Sequence, residues 1–275
     1  MNKRTANSIK TKKSKVVMLT CYDYAFAHIL DEAGVDILLV GDSMANVVLG
    51  LEETRKISIK EMLNHTKAVA LGSKEAMVVG DMPYAAYQKN PKKCVYYAKK
   101  FIEAGADGVK IEWFKECKYV VKRLIKNKIP VMGHIGLTPQ TAHLLGGFKV
   151  QGKTKKSALN LIKQAKILED LGVFSLVLEC IPHQLASHIT KQLKIPTIGI
   201  GAGSGCRGQV LVLYDFLGLY KRIRPKFVRV YKDLSIQTSD AVRQFSNEIN
   251  NGKFPNISES FSMDATQWRH LRKEL

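Results

Sequence analysis

Short apolar runs alternate with longer amphipathic segments from one end of the chain to the other. The runs are continuous and rich in β-branched residues, which is typical of strands buried on both faces of a parallel sheet. The runs predicted as strands are VVMLT (16–20), ILLV (37–40), MVVG (77–80), GVKIE (108–112), IPVMGHIG (129–136), FSLVLE (174–179), PTIGIGAG (196–203) and QVLVLYD (209–215). Eight strands with helices between them favour a closed (β/α)8 TIM barrel over an open sheet.

The segments between the runs carry helix start signals. Ser58 and Glu61 have the spacing of a capping box, which predicts a helix that ends near Gly72. Asn90-Pro91 predicts a cap followed by a proline in the first turn of the next helix. Residues 156–172 have apolar positions near helical spacing. The alternation of strand and helix therefore continues along most of the chain.

No repeat, linker or low-complexity segment divides the 275 residues. We therefore predict one barrel domain over residues 1–262, with a short basic N-terminal extension, and a C-terminal tail over 263–275. An extra helix is predicted near 239–249. No apolar run approaches the roughly 20 residues of a membrane span, and the N-terminus lacks the apolar core of a secretory signal. These features predict a cytoplasmic protein that does not bind a membrane.

The balance of charge is strongly basic, with 43 Lys and Arg against 24 Asp and Glu and a formal net charge of +19. Such an excess is compatible with nucleic-acid binding or with steering of anionic substrates. The lysines are spread in pairs along the chain, and no basic segment is interleaved with aromatic residues. This distribution favours a solvated, lysine-rich surface, so we expect no nucleic-acid partner.

The cysteines indicate neither a disulfide framework nor a zinc site. They are Cys21, Cys94, Cys117, Cys180 and Cys206. They form no CxxC pair and no zinc-ligand spacing with histidine, and their number is odd. Reduced thiols in a cytoplasm are the simplest interpretation.

Ionisable residues gather where the predicted strands end, which is where a TIM barrel places its active site. They are Asp42 with Ser43 after the second run, Asp81 after the third, Lys110 and Glu112 on the fourth, His134 on the fifth, and Glu179 at the end of the sixth. A buried group of acids is costly unless a cation or protons neutralise it. Carboxylate ligands on a rigid frame suit Mg²⁺.

These positions predict a division of roles. Asp42, Asp81 and Glu112 come from adjacent strands, so they can reach one Mg²⁺ ion. Glu179 lies two strands beyond Glu112, where a general base would face a metal-bound substrate. His134 is a candidate supporting residue.

Each residue taken singly also has a structural interpretation. Asp42 or Asp81 could cap a helix, and Lys110 could extend outward to solvent. Glu112 could pair with a surface lysine, and His134 could be a hydrogen-bonded core residue. The functional interpretation depends on all of these residues lying at the same rim of the barrel.

At the same positions the sequence closely resembles the ketopantoate hydroxymethyltransferase family, also called 3-methyl-2-oxobutanoate hydroxymethyltransferases. The stretches that carry the resemblance are TCYDY (20–24), LLVGDSMANVVLG (38–50), GDMPY (80–84), VKIE (109–112), PVMGHIGLTPQ (130–140), GGFKVQGK (146–153), LVLECIP (176–182), IPTIGIGAG (195–203) and GQVLVLYDFLGL (208–219). The resemblance implies a barrel of the phosphoenolpyruvate/pyruvate type. It also implies transfer of a one-carbon unit from 5,10-methylenetetrahydrofolate to 3-methyl-2-oxobutanoate, giving 2-dehydropantoate for pantothenate biosynthesis through a Mg-stabilised enolate.

The resemblance also implies roles for individual residues. Asp42 and Asp81 would bind one Mg²⁺ per subunit, and Glu112 would complete the metal environment. Asp42, Ser43, Asp81 and Lys110 would contact the oxo acid, and Glu179 would be the proton acceptor. Members of the family are typically homo-oligomers, often decamers.

The chain departs from the family pattern at a few places. Arg207 stands where an acidic residue precedes Gly-Gln, Tyr214 stands where the family often has His, and the family's EEHSF is reduced to SESF (258–261). None of these departures removes a predicted metal or base residue.

Three other functions compete with this interpretation. A different metal-dependent barrel enzyme acting on 2-oxo acids would carry a nucleophilic cysteine or a phosphonate-binding loop after the fourth strand, and Trp113-Phe114-Lys115 matches neither. A nucleic-acid-binding protein would need clustered arginines or aromatic platforms. An inactive homologue would have lost part of the carboxylate set, which is intact here.

Overall fold

The computed structural model describes residues 3–222 and 225–275, which form two compact units. The first unit comprises Met1–Phe216 and Tyr220–Arg229, and the second comprises Leu217–Leu219 and Val230–Leu275. The predicted domain boundary after residue 262 stays a prediction, and the two units are described separately.

The described part of the first unit contains a closed barrel of eight parallel strands paired in chain order, with the last strand next to the first. The strands are β1 (Val16–Thr20), β2 (Ile37–Val40), β3 (Met77–Asp81), β4 (Gly108–Glu112), β5 (Val131–Gly136), β6 (Ser175–Glu179), β7 (Thr197–Ile200) and β8 (Gly208–Leu211). Most strand residues are buried because helices cover the outer face while side chains fill the interior. The predicted TIM barrel is confirmed.

Helices precede, connect and follow the strands. The α-helices of this unit are α1 (Ala6–Thr11), α2 (Tyr24–Glu32), α3 (Met44–Val47), α4 (Ile59–Gly72), α5 (Tyr84–Tyr87), α6 (Cys94–Glu103), α7 (Cys117–Lys126), α8 (Lys155–Leu171), α9 (His183–Gln192) and α10 (Leu213–Phe216). Short 3₁₀ segments occur at Thr54–Lys56, Pro91–Lys93 and Pro139–Leu145. The capping box of Ser58 and Glu61 is present at the start of α4, as the spacing predicts.

The N-terminal helix α1 covers the bottom of the barrel, the end opposite the carboxyl ends of the strands. Its Ile9 is 1% exposed and belongs to the apolar cluster inside the barrel, with Val16, Ile37 and Met77 near the starts of their strands. The helix begins with a capping box made by Thr5 and Ser8. The basic N-terminal extension therefore contributes Ile9 to the barrel core.

Some predicted elements differ from the observed ones. Asn90 makes no capping hydrogen bond, and Pro91–Lys93 forms a 3₁₀ turn before α6 begins at Cys94. The eighth strand ends at Leu211 rather than at residue 215, because the chain turns into α10. Apolar residues continue through this turn, so the hydrophobic pattern alone does not mark where the strand ends.

The second unit contains α11 (Leu234–Asn250), a 3₁₀ segment at Ile257–Glu259 and α12 (Ala265–Glu274). The Asp233 side chain caps α11 by accepting a hydrogen bond from the Ile236 backbone. The extra helix predicted near 239–249 therefore exists and is longer than expected. No helix within the described ranges is both long enough and apolar enough to cross a membrane.

Candidate active site

The structure brings the predicted site residues together at the carboxyl ends of the strands. Strand pairing sets Asp81 beside Lys110, Glu112 beside His134, and Gly136 beside Glu179. Their positions are Asp42 and Ser43 just after β2, Asp81 at the end of β3, Lys110 and Glu112 on β4, His134 on β5, and Glu179 at the end of β6. All of these are buried except Ser43 and Glu179, which are partly exposed.

Lys110 and Asp81 form a buried, two-pronged ion pair. The Lys110 Nζ lies 2.7 and 2.6 Å from the two carboxylate oxygens of Asp81. Burial alone would lower the pKa of Lys110, but the charges of Asp81, Asp42 and Glu112 raise it above its usual value, so the side chain is an ammonium ion. The Asp42 backbone N–H donates to Asp81 Oδ2 at 3.2 Å. Lys110 therefore does not extend outward to solvent.

Glu112 is fully buried on β4. Its Oε2 accepts a hydrogen bond from the Gln140 backbone N–H at 3.2 Å, while its Oε1 has no hydrogen-bond partner among the described residues. Burial raises the pKa of Glu112 well above its usual value, and the Lys110 charge opposes that shift. Glu112 does not pair with a surface lysine in the part of the chain that the structure describes.

His134 lies between the carboxyl groups of Glu112 and Glu179. Its Nδ1 is 3.7 Å from Glu112 Oε1, and its Nε2 is 3.2 Å from Glu179 Oε2. Burial, with the nearby Lys110 charge, lowers the pKa of His134 well below its usual value, so the ring is neutral. Burial raises the pKa of Glu179 to about 8; Lys110 opposes that shift and Asp42 adds to it.

Ser43 is held at the mouth by an aromatic cluster. Its hydroxyl lies 2.9 Å from the hydroxyl of Tyr22. The Tyr22 ring packs against Tyr214, with ring centroids 5.6 Å apart, and Tyr214 also packs against Phe26. Tyr214, where the chain departs from the family pattern, therefore packs against the tyrosine that contacts Ser43.

A second departure, Arg207, lies just before β8, at the bottom of the barrel. Its side chain donates to the carbonyl of Lys12 at 3.0 Å, and its own carbonyl accepts a hydrogen bond from Val16 at 2.9 Å. Arg207 therefore ties the N-terminal segment to the barrel and has no place at the mouth.

Gln140 and Tyr87 are site residues that the sequence reasoning missed. Gln140 Nε2 donates to Asp42 Oδ2 at 2.9 Å, and the Tyr87 hydroxyl accepts a hydrogen bond from the Glu112 backbone at 3.1 Å. Gln140 lies within the GLTPQ stretch that supports the resemblance, but an amide carries no charge that would have marked it. Only its position within the GLTPQ stretch could have marked Gln140 as a site residue.

The donor set at the mouth fits a hard divalent cation. Four carboxyl groups face one ammonium group, and Glu112 Oε1 is buried without a hydrogen-bond partner among the described residues. No three His, Cys, Asp or Glu side chains within residues 3–222 and 225–275 form a ready-made metal cage. Mg²⁺ usually keeps water or substrate oxygens among its ligands and does not need a cage made wholly of protein groups. The residues present therefore suit Mg²⁺ bound together with an oxygen-rich substrate.

Solved structures support the fold. The chain is similar to phosphoenolpyruvate phosphomutase from Streptomyces platensis subsp. rosaceus, with a TM-score of 0.60, 12% identity, and coverage of 98% of this chain and 96% of that one. It is also similar to 2,3-dimethylmalate lyase, a PEP mutase/isocitrate lyase superfamily member, with a TM-score of 0.58, 13% identity, and coverage of 98% and 97%. At these identities the likeness concerns the barrel fold.

Sequence relatives identify the family. The 3-methyl-2-oxobutanoate hydroxymethyltransferase of Syntrophus aciditrophicus (strain SB) is 52% identical over 254 residues, covering 92% of this chain and 93% of the relative. The enzyme of the same name from Carboxydothermus hydrogenoformans (strain ATCC BAA-161 / DSM 6008 / Z-2901) is 49% identical, covering 96% and 97%. The family model described as ketopantoate hydroxymethyltransferase matches residues 1–257. The chain therefore belongs to the ketopantoate hydroxymethyltransferase family of enzymes.

Proposed function

We propose that this chain transfers a one-carbon unit from 5,10-methylenetetrahydrofolate to 3-methyl-2-oxobutanoate, giving 2-dehydropantoate and tetrahydrofolate in pantothenate biosynthesis. The observation that carries the proposal is the arrangement at the barrel mouth, where Glu179 faces the group of Asp42, Asp81 and Lys110. The names of the relatives, at about half identity over nearly the whole chain, support the choice of substrate.

The substrate is an anionic 2-oxo acid, and the mouth offers groups that suit it. The Lys110 ammonium offsets the charge of the substrate carboxylate, and the Ser43 hydroxyl supplies a hydrogen bond. Asp42, Asp81 and Glu112 would hold one Mg²⁺ per subunit. When bound, this ion supplies Lewis-acid stabilisation of the negative charge that develops on the keto oxygen.

Glu179 is the proposed general base that removes the proton from C3 of the oxo acid. Its side chain is only 15% exposed, and its raised pKa makes it a stronger base than a fully solvated glutamate. The neutral ring of His134, with its Nε2 3.2 Å from Glu179 Oε2, adds no charge beside this carboxyl group. Both carbon–nitrogen bonds of the folate methylene unit break with addition of one water, whose protons go to the two folate nitrogens and whose oxygen becomes the new hydroxyl group. The C3 carbanion attacks that carbon to form the new carbon–carbon bond, and the proton held by Glu179 returns to the resulting alkoxide.

Deuterium exchange at C3 of 3-methyl-2-oxobutanoate in D₂O tests metal, base and substrate together without any folate. We expect exchange with Mg²⁺ and very little without it. Asp42→Asn and Asp81→Asn are expected to lose the Mg²⁺-dependent exchange while retaining the circular dichroism spectrum of the wild type. Exchange that is independent of Mg²⁺ in the wild type, or metal dependence that is unchanged in both variants, would refute the site.

The proposed assembly is a homo-oligomer, such as the decamer that the family resemblance implies, located in the cytoplasm without a nucleic-acid partner. Light scattering at micromolar concentration distinguishes this assembly from a monomer. Retention on heparin that disappears at modest salt is expected from a net charge of +19, with no nucleic acid co-purifying.

A further inference from the structure

The side chain of Gln140 is fully buried where β2, β3 and β4 end. Its Nε2 donates to Asp42 Oδ2 at 2.9 Å and to the Met82 carbonyl at 3.0 Å. Its Oε1 accepts hydrogen bonds from the Tyr87 hydroxyl and from Gln88 Nε2, both at 3.0 Å. Two donors and two acceptor positions are all that a primary amide offers, so the carboxamide is saturated.

The orientation of this amide is fixed by its partners. A backbone carbonyl can only accept a hydrogen bond, so the nitrogen of the amide must face Met82. The Tyr87 hydroxyl already accepts hydrogen bonds from the Glu112 backbone and from Gln88, which leaves its own proton for Gln140 Oε1. In the opposite orientation, Gln140 Oε1 would face the carbonyl oxygen of Met82, and two acceptors cannot form a hydrogen bond.

Gln140 also holds a second carboxylate. Its backbone N–H donates to Glu112 Oε2 at 3.2 Å. One residue of the loop after β5 therefore engages one oxygen of Asp42 and one oxygen of Glu112, which come from two other strands. The second oxygen of each carboxylate remains for a cation, and Glu112 Oε1 has no hydrogen-bond partner among the described residues.

We propose that Gln140 is a positioning residue that presets the carboxylates of Asp42 and Glu112 for a divalent cation. The inference rests on the proposed function, because these carboxylates matter in this way only if they bind the metal. An amide suits the task because it donates hydrogen bonds without adding charge. Glutamate at position 140 would remove both side-chain N–H donors and add a fifth carboxyl group to an acidic mouth.

Binding of Mn²⁺ alone to the whole protein, measured from the electron paramagnetic resonance signal of the free ion, tests the inference without substrate or folate. Gln140→Met keeps the approximate volume and removes the side-chain hydrogen bonds. Loss of a residue that orients a metal ligand typically weakens affinity about 10–100-fold, and we expect a rise of that order in the Kd for Mn²⁺. Gln164→Met, at a buried glutamine on α8, is the matched control and is expected to retain wild-type affinity.

Tyr87→Phe provides a milder second variant, because it keeps the ring and removes only the hydroxyl that orients the amide. We expect a smaller rise in Kd in the same direction. C3 exchange is then measured as a function of Mg²⁺ concentration, and excess metal should restore most of the rate in both variants. A purely structural role would lower the melting temperature and leave the Kd of the folded protein unchanged.

The outcomes separate this inference from the function on which it rests. Wild-type affinity for Mn²⁺ in folded Gln140→Met and Tyr87→Phe would overturn the role of Gln140 and leave the metal site intact. A wild-type protein that binds no Mn²⁺ would overturn the metal site, and the positioning role with it.

Discussion

Nε2 of His134 and Oε2 of Glu179 lie 3.2 Å apart at the mouth of the barrel. Burial raises the pKa of Glu179 to about 8 and lowers that of His134 well below its usual value. The ring is therefore neutral, and neither of its nitrogens has a hydrogen-bond partner among the described residues. The pair thus combines a strengthened base with a partner that adds no charge.

Glu179→Gln keeps the shape of the side chain but cannot accept a proton. A general base typically contributes about 10²–10⁴-fold, so we expect C3 deuterium exchange to slow by that order. The affinity for Mn²⁺ should change little, because Glu179 is not a proposed ligand. Glu103→Gln, at an exposed position on α6, serves as the control. If Glu179→Gln exchanges the C3 proton near the wild-type rate, Glu179 is not the base and His134 becomes the next candidate.

The exchange rate should rise with pH, because Glu179 must be ionised to accept the proton. The midpoint is expected below about 8, the pKa that burial gives Glu179 in the metal-free protein. Bound Mg²⁺ should move the midpoint down, since a nearby cation favours the carboxylate. A pH series of exchange rates, at several Mg²⁺ concentrations, measures both effects. Rates that fall as pH rises through this range would contradict the assignment.

The barrel and the gathering of charged residues could be predicted from sequence because both follow from local patterns. Continuous apolar runs mark buried parallel strands, and residues at strand ends share one edge in such a fold. Asp42, Asp81 and Glu179 therefore meet at one mouth whatever the details of packing. Their chemical roles remain proposals that the experiments above address.

The parts that sequence could not predict depend on contacts between distant segments. Gln140 follows β5 yet holds Asp42 after β2, and no pattern in either segment encodes that pairing. Ile9 lies in a short basic segment, and its burial depends on the open bottom of the barrel. Asn90 has the residue type of a helix cap, but its backbone conformation is not that of one.

Ile9→Ala should destabilise the protein without impairing catalysis in the folded state. Ile9 is 1% exposed in the barrel cluster, and truncating a buried isoleucine costs about 2–5 kcal/mol. Ile29→Ala on α2, where the side chain is 57% exposed, should cost far less. Urea unfolding gives both values, and C3 exchange per folded protein should be unchanged because Ile9 lies at the opposite end of the barrel. Equal losses in the two variants would show that α1 is not part of the core.

Lys110→Met should be among the more destabilising single changes in the barrel. The substitution leaves the Asp81 carboxylate, which Lys110 contacts at 2.6 Å, buried beside other acids without its cation. Breaking one side of a buried ion pair costs about 3–5 kcal/mol. The exposed pair of Lys100 and Glu103 provides the control, where Lys100→Met should cost far less because exposed ion pairs contribute little to stability.

The loss of stability in Lys110→Met should also depend on pH. Burial already raises the pKa of Asp81, and without the ammonium group it should rise further. The folded variant then holds a proton that the folded wild type releases near pH 7, so its deficit relative to wild type is small at acidic pH and grows as pH rises above about 7. Urea unfolding of both proteins at fixed protein concentration across a pH series measures this difference. A deficit that is constant with pH would mean that Lys110 stabilises the barrel through packing of its stem rather than through its charge.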